Sequence, residues 1–314
     1  MTVAQRILVL GGTGFIGSNF ANLAAARGAQ VWVAGRGEPR VPLAGAITLR
    51  QADAASLTQM RALVAEARPD TVVFCVSQLV PRSANVSADA TFAEIRAMLN
   101  LLQCADEHGL KQIVYCSSGG AIYGDSNGAR TEADVCLPKS VYGRLKLQTE
   151  QILQVFSESR KQPAAILRIA NPYGPGQSPT GTHGVIPVFI ARVAAHQPIT
   201  VLGSLDAAKD YFFVGDLCEA MWAAIAARAN GVFNVGSGVA TRLGTIVEKI
   251  SEACGTPALQ DFRDLPSGDV ASFFLDITKA ERELGWCPKT SLDEGIALTR
   301  DWLQQNAFPG DRGH

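Results

Sequence analysis

The chain is 314 residues long, 47% hydrophobic and 18% charged, which is ample for a buried core and far from the composition of a disordered segment. Its 28 Lys and Arg against 29 Asp and Glu leave a net charge of −1 with no long block of one sign. Nucleic acid is therefore not expected as a partner.

Short β-branched runs alternate with longer helical stretches through the first half. Strands are expected over residues 6–10, 30–34, 46–50, 71–76, 112–117 and 164–169, and helices over 14–27, 56–67, 89–108 and 141–159. Gly28 and Gly109 follow two of these helices, where a residue without Cβ ends a helix in the left-handed conformation. This alternation is the pattern of an α/β fold, a doubly wound parallel sheet of six strands that binds its ligand beyond the strands' carboxyl ends. From 171 to 184 the sequence is dense in Pro, Gly, Ser and Thr, and helices are expected beyond it at 185–196, 215–229, 242–254, 277–284 and 292–305. The expected division is a dinucleotide-binding domain over 1–175, with segments near 212–240 returning to it, and a smaller α/β substrate-binding lobe over 176–314 that walls a cleft.

The first apolar run, 7–10, stops at Gly11 and Gly12, far short of the roughly 20 residues of a membrane span. With no targeting segment visible, the expectation is a cytoplasmic protein without a membrane partner. Seven cysteines, an odd number without close pairs, read as reduced and mostly buried thiols.

Gly11-Gly12-Thr13-Gly14-Phe15-Ile16-Gly17 joins the first strand to the first helix. Gly11 permits the tight turn, Gly14 lets a pyrophosphate approach the backbone, and Gly17 lets helix and strand pack closely, with the helix N–H groups facing the phosphates. In an NAD site an acidic residue at the end of the second strand holds the adenosine ribose; here Gly35, Arg36 and Gly37 follow it. Arg36 is placed to pair with a 2′-phosphate, so NADP is favoured over NAD. Asp53 is a candidate for the adenine amino group or, equally, a helix cap.

Tyr142 and Lys146 stand four residues apart at the start of a helix, so phenol and ammonium share one face. A neighbouring cation stabilises phenolate, which would let the tyrosine exchange a proton near neutral pH. The pair follows the fifth strand and the Cys116-Ser117-Ser118 turn, placing these side chains together above the nicotinamide end of a dinucleotide.

At these residues the chain resembles the extended short-chain dehydrogenase/reductase family, in particular the NAD(P)-dependent sugar-nucleotide epimerases and reductases, UDP-galactose 4-epimerase among them. The resemblance runs through Gly11 to Gly17, the SSGGAIYG stretch at 117–124, Tyr142 and Lys146, LRIANPYGP at 167–175, Lys209-Asp210-Tyr211, Val214-Gly215-Asp216, Phe233-Asn234-Val235-Gly236 and Leu284-Gly285-Trp286. It implies a Rossmann-type fold and a catalytic acid/base at Tyr142. Lys146 would lower that tyrosine's pKa and bind the nicotinamide ribose, and a serine would orient the substrate hydroxyl. It further implies substrate contacts from Asn171, Val185 and Lys209, and a homodimer packing the helices over 89–108 and 141–159, for which Ile152, Leu153 and Phe156 are candidate face residues.

Three departures stand out. Gly119 occupies the place of the usual catalytic Ser or Thr, leaving Ser118 as its substitute and Ser117 in reserve. An asparagine common in the family is replaced by Glu94, expected to be a solvated helix residue. The two arginines that grip a sugar-linked pyrophosphate correspond to Lys209 and Ser267, with Arg263 as a nearby substitute. The Thr-Asp-Glu triad of the 4,6-dehydratases is missing, which removes the acid needed to expel water. His183 is read as a polar loop residue, and no metal site is expected. The expected activity is hydride transfer at C4 of a nucleotide-diphosphate sugar, as 4-epimerase or 4-ketoreductase. The alternatives are an oxidoreductase for a non-nucleotide carbonyl compound and a non-catalytic NADP-binding regulator.

Overall fold

The computed structural model describes residues 5–77, 79, 87–126, 128–180, 184–265, 270 and 272–306. Seven parallel strands form the central sheet in the order Gly231–Val235, Ala164–Ile169, Gln112–Ser118, Thr71–Phe74, Arg6–Leu10, Gln30–Gly35 and Thr48–Gln51. The chain steps outward in one direction from Arg6–Leu10, then returns and steps outward in the other. The crevice between Arg6–Leu10 and Thr71–Phe74 is thus the switch point at which doubly wound sheets bind ligands.

The strands read as unbroken apolar runs because both of their faces are covered. Ile7 and Val9 point to one side, where they pack with Phe20, Ala21 and Ala24 of the Phe15–Ala26 helix and Leu217, Met221 and Ala224 of the Val214–Ala226 helix. Leu8 and Leu10 point to the other side. There they meet Met60 and Leu63 of Leu57–Ala67, Met98 and Leu101 of Ala88–His108, and Leu153 of Val141–Arg160.

The six expected strands are present, and a seventh, Gly231–Val235, pairs in parallel with Ala164–Ile169. A third apolar cluster gathers Ile186, Phe189 and Ile190 of Val185–Ala194, Ile246 and Ile250 of Leu243–Cys254, and Ile296 of Leu292–Gln305. Among the described residues no helix is long and apolar enough to cross a membrane.

Two features fix the helix that carries Tyr142 and Lys146. Ser140 caps it by accepting the Gly143 amide at 3.1 Å, and buried Glu150 takes the Arg168 guanidinium at 2.8 Å from the neighbouring strand. Gly143 lies so close to the short Gly119–Ile122 turn that a Cβ there would meet the Ala121 carbonyl oxygen at 2.2 Å. Only glycine admits this approach, and it brings the helix start against Ser118. Of the residues expected to form a dimer face, Leu153 is fully buried, and Ile152 and Phe156 are partly buried against the same cluster. The sheet claims them because they continue the helix's core-facing stripe.

Candidate active site

The glycine loop has the shape its sequence requires. Gly11 adopts φ +73°, and a Cβ on it would meet the Cys75 carbonyl group at 2.7 Å. Gly17 lies against the loop itself, where a Cβ would fall 2.5 Å from the Gly11 carbonyl oxygen. Gly14 precedes the Phe15–Ala26 helix in an extended conformation and donates its amide to the Gly11 carbonyl at 3.0 Å. The loop before this helix borders a cavity of about 470 Å³ lined among others by Gly11, Thr13, Gly14, Gly35, Arg36, Arg40, Asp53 and Ser77. A loop with no Cβ at its close approaches, beside a helix start, fits a dinucleotide diphosphate.

The end of the second strand has a packing reason for its lack of an acid. A Cβ on Gly35 would lie 2.1 Å from Thr13 Oγ1 and 2.8 Å from Thr13 Cβ, so a larger residue cannot stand there beside Thr13. Arg36 lines the cavity as expected. Arg40, which the sequence reading passed over, lines it as well. Asp53 accepts the Ala55 amide at 3.0 Å, while the cap of the next helix is Ser56.

Next to this cavity lies a second one, of about 360 Å³, lined among others by Phe15, Ile16, Ser117, Ser118, Tyr142, Lys146, Asn171, Val185 and Lys209. Tyr142 and Ser118 face this cavity together, and Ser118 is close enough to favour the ionised form of the phenol. Ser117 Oγ, in contrast, is buried with no hydrogen-bond partner among the described residues. The thiols of Cys75 and Cys116, 3.4 Å apart, also face this cavity, and all seven cysteines are unbonded.

Lys146 is buried. Its Nζ donates to the Cys116 carbonyl at 3.0 Å and pairs with Glu94 Oε1 at 2.8 Å, lying 5.7 Å from the centre of the Tyr142 ring. Glu94 is thus no solvated residue. It is 5% exposed and also accepts the Tyr115 phenol at 2.7 Å and the Ser77 hydroxyl at 3.1 Å. The helical pattern misassigned it because the groups that hold it come from three other parts of the chain.

This arrangement corrects the electrostatic expectation as well. Burial pushes the Tyr142 phenol above its ordinary pKa; Lys146 pulls it down, but Glu94 pushes it up again. Burial works against the Lys146 cation, and the nearby Glu94 and Tyr142 outweigh it and hold its pKa above the ordinary lysine value. In the ligand-free protein the balance of these effects favours the neutral phenol over the phenolate.

Val185 and Lys209 also line a third cavity, of about 520 Å³, together with Phe189, Arg192, Thr200, Leu202 and Leu243. Arg192, near the end of the Val185–Ala194 helix, was not singled out in the sequence; it bonds the Pro198 carbonyl at 3.0 Å. Asn171 lines the second cavity but commits its amide nitrogen to the Asp210 carbonyl at 2.8 Å. Arg263 stands on the surface outside the lining of these cavities, with Nε and Nη2 both donating to Asp261 Oδ2 at 3.0 and 2.9 Å. His183 and Ser267 lie outside the described residues.

Comparison with known proteins agrees with this geometry. The profile of the NAD dependent epimerase/dehydratase family matches residues 7–236. The chain belongs to this family. It is 31% identical over 242 residues to a dTDP-4-dehydro-6-deoxyglucose reductase of Escherichia coli, covering 76% of this chain and 77% of that one. It is 30% identical to a UDP-glucose 4-epimerase of Mycolicibacterium smegmatis over 96% of this chain and 100% of the other. The UDP-glucose 4-epimerase of Thermus thermophilus, solved in complex with NAD, superimposes with a TM-score of 0.90 at 30% identity, covering 96% and 100% of the two chains. The chain is an NAD-dependent enzyme of the extended short-chain dehydrogenase/reductase type.

The loop geometry makes a direct prediction. Gly17→Ala forces the helix away from Gly11, so dinucleotide affinity is expected to fall at least about 10-fold, equivalent to about 1.4 kcal/mol, as read by calorimetric titration. Unchanged affinity would remove the loop from its assigned role.

Proposed function

We propose that the protein is an NADP-preferring oxidoreductase acting at C4 of a nucleotide-diphosphate sugar, most simply as a 4-ketoreductase, with Tyr142 as the proton donor. The observation that carries this reading is the convergence of Tyr142, Ser118 and Lys146 on one cavity. That cavity adjoins the glycine loop on one side and shares Val185 and Lys209 with a further cavity on the other.

Gly11, Thr13, Gly14, Phe15, Ile16 and Gly17 would hold a dinucleotide, which when bound would supply the hydride. Arg36 would pair with its 2′-phosphate, Asp53 would receive the adenine amino group and Lys146 would bind the nicotinamide ribose. The chain's own residues manage the substrate and the proton. Ser118 orients the C4 oxygen, and Tyr142 delivers its proton to that oxygen as the carbonyl becomes an alcohol. Lys146 stabilises the phenolate left behind. Ser117 stands behind Ser118, buried and with its hydroxyl uncommitted. Asn171 and Val185 line the sugar's path, and Lys209 brings positive charge toward the diphosphate.

Two features support the reductive direction. Gly35 and Arg36 suit a phosphorylated dinucleotide, and burial keeps Tyr142 in the protonated form that has a proton to give. A second reading, 4-epimerase with retained NAD, draws on the full-length similarity to UDP-glucose 4-epimerases. Denaturing the purified protein and identifying the released dinucleotide separates the two, because a retained NAD favours the epimerase. The same reading pairs two copies of the chain through the helices Ala88–His108 and Val141–Arg160. Phe92, Leu99 and Val155, each half exposed or more, form the outward apolar positions that such a four-helix bundle covers.

Three outcomes are expected. Tyr142→Phe lowers kcat at least about 100-fold with dinucleotide affinity unchanged in calorimetry; turnover near the parent level would exclude the role. Arg36→Ala weakens NADPH binding about 10- to 100-fold and leaves NADH binding as it was, whereas an equal loss for both would rule out 2′-phosphate recognition. Light scattering gives twice the mass of one chain, and Phe92→Glu shifts it toward a single copy.

A further inference from the structure

Glu94 is a carboxylate for which the proposed reaction has no use. It sits on Ala88–His108 behind Lys146, is 5% exposed, and is absent from the lining of the cavities around the site. Three donors from three parts of the chain converge on it. Tyr115 comes from the fifth strand at 2.7 Å, Ser77 from the segment after Thr71–Phe74 at 3.1 Å, and Lys146 from Val141–Arg160 at 2.8 Å. A buried carboxylate is tolerated only when paired and hydrogen-bonded in this way.

The consequence falls on Lys146. An ammonium has three donors; one goes to Glu94 and one to the Cys116 carbonyl at 3.0 Å, which leaves the third for the cavity that Lys146 lines. The side chain is therefore oriented before any ligand arrives, and a negative charge sits directly on the far side of its positive one.

We propose that Glu94 is a positioning residue of this site, fixing Lys146 and offsetting its charge, so that Tyr142 stands ready as a proton donor instead of resting as a phenolate. The inference rests on the reading of Tyr142 as the acid. The groups that act on Tyr142 are Lys146 from its own helix, Glu94 from Ala88–His108, and Cys116 and Ser118 from the fifth strand, with Tyr115 beside them. Lys146 and Ser118 favour the phenolate; Glu94, Cys116 and burial oppose it. Glu94 leaves the equilibrium between substrate and product untouched. It sets the pH above which the phenol is lost, and with it the range over which carbonyl reduction runs.

The test is an ultraviolet titration of tyrosinate in the ligand-free protein. The contribution of Tyr142 is isolated by subtracting Tyr142→Phe from the parent, and Glu94→Gln with Tyr142→Phe from Glu94→Gln alone. Removing the opposing charge leaves the ammonium unbalanced, so Tyr142 is expected to ionise about one pH unit or more lower in Glu94→Gln, and the alkaline fall of the reduction rate is expected to move the same way. An unmoved or upward titration would overturn the proposal. Should Glu94→Gln not fold, the parent decides: its reduction rate must persist to about pH 9 or beyond, near the ordinary tyrosine pKa, and a loss centred near pH 7 refutes the role. Full turnover in Tyr142→Phe would instead defeat the assignment of Tyr142 as the acid, and the Glu94 titration result would stand apart from it.

Discussion

An ammonium withdrawn from water must find anions or carbonyls to replace its hydration, and Lys146 finds both. Desolvating a charge costs several kcal/mol, so this side chain can be buried only if the Cys116 carbonyl and the Glu94 carboxylate are already in place. That requirement draws three elements to one point: the carboxyl end of the fifth strand, the long helix from Ala88 and the helix that begins at Val141. Tyr142 and Ser118 meet because those elements meet. The apolar packing on the two faces of the sheet makes the fold; this buried pair fixes where its chemistry sits.

Much of the framework was legible because the relevant signals are local. A strand covered on both faces must be apolar throughout, so Arg6–Leu10, Gln112–Ser118 and Ala164–Ile169 announce themselves. The helix stops at Gly28 and Gly109 announce themselves too, both glycines having positive φ. The Gly231–Val235 strand was concealed by Asn234, fully buried yet polar. Its amide nitrogen is taken up by the carbonyls of Arg130 and Asp276 at 2.7 and 3.1 Å, from segments a hundred residues upstream and forty downstream. Polarity in a sequence cannot reveal such distant partners.

The active site shows the same division. Tyr142 and Lys146 were found from a spacing of four, and the loop from its three glycines, since each signal lies within a few neighbouring residues. Glu94 was misread because a glutamate in a helix ordinarily faces water, and Tyr115, Ser77 and Lys146 are neighbours only in space. Arg192 escaped notice for a similar reason: nothing in its local sequence tells that its helix borders a cavity. Ile152, Leu153 and Phe156 are apolar at helical spacing, a pattern suited equally to a dimer face and to packing against a sheet, and Leu153 is buried against the sheet.

The contact between Gly35 and Thr13 also constrains descent. An aspartate at position 35, of the kind that grips ribose hydroxyls in NAD sites, meets a wall, because Thr13 Cβ itself lies 2.8 Å from where the new side chain must begin. Rotating the threonine moves its Oγ1 and Cγ2 but leaves its Cβ where it stands. Positions 13 and 35 are therefore coupled: a side chain at 35 calls for a smaller residue at 13.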